Sequence, residues 1–126
     1  MYEGSRQFVN EPFGVQGHRL IKEQQVRHTL AEVKTDAMVA RLLTDKQIEA
    51  YENDDLNQMS VSMAKYWTSE KLIENITKCQ QLFGHHGLLL GTEKENRIAT
   101  GFAAARVQTI YGGTSEVMKE IISRGI

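Results

Sequence analysis

The residues best equipped for chemistry lie near the C-terminus, in the run Tyr111-Gly112-Gly113-Thr114-Ser115-Glu116. A double glycine ahead of Thr-Ser at a helix start offers free backbone N–H groups, a hydroxyl and the positive end of the helix dipole. That combination suits an anionic or polar ligand. The same residues also make an ordinary turn in which Thr114 only caps the helix, and spacing alone leaves both readings open. A second glycine cluster, Gly84-His85-His86-Gly87, reads as a turn. Its adjacent histidines diverge from one another, and with Cys79 they make a poor metal site, so no metal centre is expected. His18 and His28 are expected to face solvent, and neither Ser115 nor Ser123 has a nearby His–acid arrangement.

Two long helices must carry these turns. From about Ile21 to Tyr51, Val26, Leu30, Val33, Ala37 and Ala40 form an apolar seam on one helical face. The second begins after Asn53-Asp54-Asp55, with Asp55 and Gln58 as cap and reciprocal partner. Met59, Met63 and Tyr66 open its seam, and Leu72, Ile76, Cys79 and Phe83 continue it to Gly84, which stops the helix. So short a connection makes the two helices antiparallel. Beyond it, Leu88-Leu89-Leu90 reads as a short apolar plug, and Thr92-Glu93-Lys94-Glu95 has capping-box spacing for a third helix, broken or bent near Gly101. A last helix follows Gly112-Gly113-Thr114, with Val117, Met118, Ile121 and Ile122 on its apolar face. Tyr2, Phe8 and Phe13 read as the end of an earlier helix and the turn after it. The fold expected for residues 1–126 is a single all-α domain, an up-down helical bundle of two long and two shorter helices.

Composition fits one domain. The 126 residues suffice for one core, hiding roughly two-thirds of the unfolded surface. Fifteen basic against sixteen acidic side chains leave a net charge of -1, which gives no general attraction to nucleic acid or anionic membrane. No apolar run reaches the roughly 20 residues of a membrane span, and the opening residues do not have the pattern of a secretory leader, so none is expected among them. The lone Cys79 excludes an intramolecular disulfide. A cytoplasmic or organelle-matrix setting is expected. The opening residues start inside an amphipathic, aromatic-bearing stretch, which suggests a fragment of a larger protein or a seam covered in an oligomer.

The run Ala105-Arg106-Val107-Gln108-Thr109-Ile110-Tyr111-Gly112-Gly113-Thr114-Ser115-Glu116 resembles the C-terminal signature of acyl-CoA dehydrogenases, in the Tyr-Gly-Gly-Thr form of the long-chain and isovaleryl-type members. Leu30-Ala31-Glu32, with Gln24 before it, is similar to the family's Leu-Ala-Glu segment and glutamine. Met63-Ala64-Lys65, Gln81-Leu82-Phe83-Gly84 with Gly87, and Pro12-Phe13-Gly14 also resemble family motifs, in order along the chain. The resemblance implies flavoproteins that α,β-dehydrogenate acyl-CoA thioesters: a base removes the α-proton while the flavin takes the β-hydride. It also implies a helical C-terminal domain that contacts the FAD of a neighbouring subunit as well as its own. By position, Phe13 would lie against the adenine, and Gln24, Gln81, Phe83 and Gly84 would belong to a dinucleotide surface shared across the interface. Thr114, Ser115 and Glu116 would approach FAD, and Tyr111 and Gly113 would sit near the acyl thioester.

Departures from the family pattern shape the functional expectation. Gly112 stands where many members carry the catalytic glutamate, so no catalytic residue is assigned here. Asn10 replaces an arginine before Phe-Gly, His85 replaces a glycine, and Ala103-Ala104 replace Arg-Asp. The expected role is the FAD-contacting and oligomerisation part of an acyl-CoA dehydrogenase, not active alone. Its partners would be further copies, as a homodimer or homotetramer, or a chain carrying the N-terminal and middle domains. The alternative is a standalone helical oligomerisation or binding module that has lost FAD.

Overall fold

The computed structural model describes residues 1–12, 17–90 and 93–126, with the backbone alone for 93–97. Its elements are α1 (Tyr2–Asn10), α2 (Gln24–Glu52), α3 (Gln58–Phe83), α4 (Glu93–Ala105) and α5 (Ser115–Ser123). Short 3-10 turns at Leu20–Lys22, Gly84–Leu88 and Arg106–Thr109 connect them. The all-α class and both long helices agree with the sequence reading. The stretch bearing Tyr2 and Phe8 is helical, as its reading as the end of an earlier helix implied, and α1 stands beside the two long and two shorter helices of the expected bundle. Phe13 and Thr92 lie outside the described residues.

Cross-helix bonds give the register of α2 against α3. Ser60 Oγ donates to Gln47 Oε1 at 3.0 Å, Lys71 pairs with Asp36 at 3.7 Å, and Lys78 Nζ donates to Glu32 Oε2 at 3.0 Å. Partners on α2 fall in number as those on α3 rise, so the helices are antiparallel. Their core joins Val33 of α2, Cys79 and Phe83 of α3 and Ile98 of α4, with Tyr2 and Phe8 of α1 packed against it. Burial pushes the Cys79 thiol above its ordinary pKa, which keeps it an inert core residue.

Several local expectations are corrected. The cap of α3 is Asn57 rather than Asp55: its side-chain oxygen accepts from the Met59 and Ser60 amides at 2.8 and 3.3 Å, and Asp55 lies in the connection before the helix. Helix α4 runs unbroken through Gly101; a Cβ there would lie 3.0 Å from Ile76 Cδ1, so the glycine lets α4 approach α3. Leu88, Leu89 and Leu90 do not form the expected plug among the described residues, being 69, 45 and 72% exposed. Gly87 seals that end instead, with its carbonyl accepting from Gln80 Nε2 at 3.1 Å. Met63 and Val117 face solvent and not the core. Gly84 does end α3 at φ 56.

Along the α2/α3 seam, Glu74 takes hydrogen bonds from Lys71 and Lys78, each at 2.7 Å, which hold its carboxyl below the usual carboxylate range. A depressed folded pKa contributes stability above the unfolded value of about 4.3, lost as pH falls through the folded one. Glu74→Gln is therefore expected to flatten the acid limb of the stability curve below about pH 4.3. Urea midpoints measured across that range check this; an unchanged acid limb would show that the network contributes nothing.

Candidate functional site

The α5 start has the geometry its composition suggests. Gly112 and Gly113 take φ of 66 and 104, and Thr114 then runs extended at φ -67, ψ 161 as the N-cap. Thr114 Oγ1 accepts from the Val117 amide at 3.2 Å, and the Thr114 carbonyl accepts from Met118 N–H at 2.9 Å. Ser115 is buried, and its hydroxyl donates to Glu70 Oε1 at 2.5 Å. Lys65 Nζ donates to the Gly113 carbonyl at 2.5 Å. Glu116 is exposed; its own amide, then the Thr114 side chain, lower its pKa below the ordinary value. That carboxylate therefore finds its partners at the helix start.

Tyr111 stands out at 57% exposure, its hydroxyl donating to Gln108 Oε1 at 2.7 Å. Beside it opens a cavity of about 510 Å³, lined in part by Lys65, Thr68, Ser69, Leu72, Tyr111 and Gly112. Asn75 also lines it, buried, with its side-chain oxygen unpaired among the described residues.

The other expected contacts gather at the far end of α3. Gln24 is exposed and within 3.5 Å of His28 Nε2; Gln81 is exposed and lines a shallow trough with Glu23, Gln25 and Lys78. Gly84 is exposed at its positive φ. Phe83 differs from these, 6% exposed and stacked on Phe8 with ring centroids 4.1 Å apart. Its ring is committed to the core, leaving backbone and neighbours to face outward. His85 is exposed, and its ring lies tilted against His86 at 4.0 Å, so the two histidines do not diverge as expected; no group of three metal-ligating side chains occurs among the described residues.

A single chain does not bring the two groups together. The α5 start docks on Lys65 and Glu70, and the second group begins at Gln81; that is 11 to 18 residues of α3, or roughly 16–27 Å at the helical rise. Sequence reasoning missed Lys65 and Glu70 as contributors. Their partners lie 48 and 45 residues away, a distance no local pattern reports.

Comparisons with known proteins agree along the chain. A family model described as "Acyl-CoA dehydrogenase, C-terminal domain" matches residues 5–126. The long-chain specific acyl-CoA dehydrogenase of Rattus norvegicus mitochondria is 40% identical over 126 residues, covering 100% of this chain and 28% of the relative. The short/branched chain specific enzyme of the same organism is 32% identical over 110 residues, 87% of this chain and 24% of the relative. The crystal structure of an acyl-CoA dehydrogenase from Geobacillus kaustophilus superposes with a TM-score of 0.89 at 31% identity, covering 98% of this chain and 31% of that one. The chain thus spans under a third of the length of these relatives. No helix among the described residues is long and apolar enough to cross a membrane.

Proposed function

Since the chain belongs to the acyl-CoA dehydrogenase family, over its C-terminal domain, we propose that it serves as the FAD-contacting and oligomerisation part of a flavin-dependent acyl-CoA dehydrogenase. The observation that carries this is the separation of the two residue groups along α3, one docked midway and the other at its C-terminal end. One flavin would have to reach roughly 16–27 Å along that helix to meet both in a single chain. Two copies, each offering one group, would complete a site between them.

In this reading Thr114 and the Ser115 amide at the start of α5 approach the cofactor from one copy. Gln24, Gln81 and the backbone at Gly84 meet it from another, with Phe83 fixing the Gly84 turn from beneath and Phe13 beside the adenine. The turn residues are compatible with close approach of an anionic dinucleotide, because the positive-φ glycines carry no Cβ to hold it away. Glu116 is compatible, since its carboxylate finds its own amide and Thr114. FAD would supply the hydride acceptor. Tyr111 and Gly113 would border the thioester, and with Gly112 at the usual position of the base, this chain's part is to bind and orient. The activity is proposed for an assembly with the N-terminal and middle domains.

Flavin binding is tested by visible absorbance and by titration of FAD into the chain, alone and with those domains. Thr114→Ala is expected to weaken FAD binding about tenfold, the scale of one lost hydrogen bond to a charged group. A colourless protein that ignores FAD in both settings would sink this reading in favour of a helical binding module.

A further inference from the structure

We propose that Lys65 and Glu70 are positioning residues, a clamp on α3 that sets the geometry of the turn from Gly112 to Ser115. What the turn faces rests on the flavin and thioester reading; the clamp rests on its own geometry. Lys65 Nζ holds the Gly113 carbonyl at 2.5 Å and Glu70 Oε1 holds the Ser115 hydroxyl at 2.5 Å, so the turn is gripped on both sides of Thr114. The two grips come from residues about 7.5 Å apart along the α3 axis and meet the turn one residue before and one residue after Thr114.

The turn needs such a device. Gly112 and Gly113 have no side chains with which to anchor it, and both sit at positive φ, where glycine alone is free to wander. The Thr114 hydroxyl and carbonyl bond within α5, to the Val117 and Met118 amides. Both grips have an ionised partner, which makes them roughly twice as strong as neutral hydrogen bonds. They also couple the turn to the cavity beside it, since Lys65 lines that cavity with Tyr111 and Gly112. A turn freed from the clamp would move the cavity wall and the Thr114 hydroxyl together.

The test is amide hydrogen exchange on the isotope-labelled chain, comparing wild type with Lys65→Met, Lys65→Arg, Glu70→Ala and Ser115→Ala. Lys65→Met is expected to speed exchange at the Val117 and Met118 amides about tenfold. The amides of Val33 and Cys79 should be unaffected, and Lys65→Arg should restore most of the protection. Glu70→Ala and Ser115→Ala should match each other, and their combination should add nothing. Unchanged exchange at Val117 and Met118, or an equal rise throughout the bundle, overturns the proposal. Should Lys65→Met fail to fold, Ser115→Ala decides the matter by the same two amides. FAD titration is read separately: a loosened turn in a chain that binds no flavin supports the clamp and counts against the flavin reading. A turn that stays protected while flavin binding falls overturns the clamp.

Discussion

Phe83→Ala is expected to lower folding stability by about 3–5 kcal/mol, measured by urea denaturation. The ring lies between Phe8 and the Val33, Cys79 and Ile98 side chains, and alanine leaves a void with little to fill it. The neighbouring turn cannot collapse inward: Gly87 already approaches so closely that a Cβ there would lie 2.9 Å from the Gln80 carbonyl and 3.1 Å from Phe83 Cβ. Against a domain stability of about 5–15 kcal/mol, the variant would be partly unfolded at physiological temperature. Phe8→Ala should cost less, since that ring is only half-buried. The double variant should reveal a coupling of about 0.5–1.5 kcal/mol between the stacked rings. The outcome also decides what Phe83 is for. If its ring chiefly touched a ligand, alanine would leave stability within about 0.5 kcal/mol of wild type and alter flavin binding alone.

Phe83 marks where sequence stops being informative. Its place on the apolar seam and its match to a family motif are both visible in the sequence, and they point to different roles. Only packing separates them, by seating Phe8 from a helix more than seventy residues earlier against its ring. The long helices, the stop at Gly84 and the cap at Thr114 were legible because each depends on local periodicity or on one residue's φ preference. Asp55 misled because it offers the same acceptor chemistry as Asn57, and which one caps depends on where the connection turns. Gly101 misled for a related reason. A glycine within a helix pattern signals either a break or a close approach, and the deciding contact, with Ile76, is tertiary. The three leucines at 88–90 looked like core by hydropathy alone, but they are exposed, and hydropathy does not say which apolar residues a core takes up. For the site, composition identified the α5 start, yet its anchors on α3 and its separation from Gln81 required the docking of α5 midway along that helix.

Gly113→Ala is expected to cost about 1–3 kcal/mol of stability and to displace the turn that Lys65 holds. Two effects add. At φ 104 an alanine is strained wherever its Cβ points, and here that Cβ would collide with the terminal methyl of Met118, a buried residue. Gly112→Ala tests the first effect without the second: its φ of 66 lies in the left-handed region, and the space around it is open. That variant should be the milder, about 1–2 kcal/mol, and Gly112→Asn milder still, since asparagine tolerates that conformation. Removing the obstacle separates strain from collision at position 113. In Gly113→Ala/Met118→Ala the collision is relieved and the backbone strain remains, so the double variant should lose less than the sum of the single losses. Full additivity in urea denaturation would mean that Met118 had already swung aside and that strain alone sets the cost. If Gly113→Ala were neutral, the turn would not be held at φ 104. The geometry on which Thr114 and the Lys65 contact both depend would then be wrong.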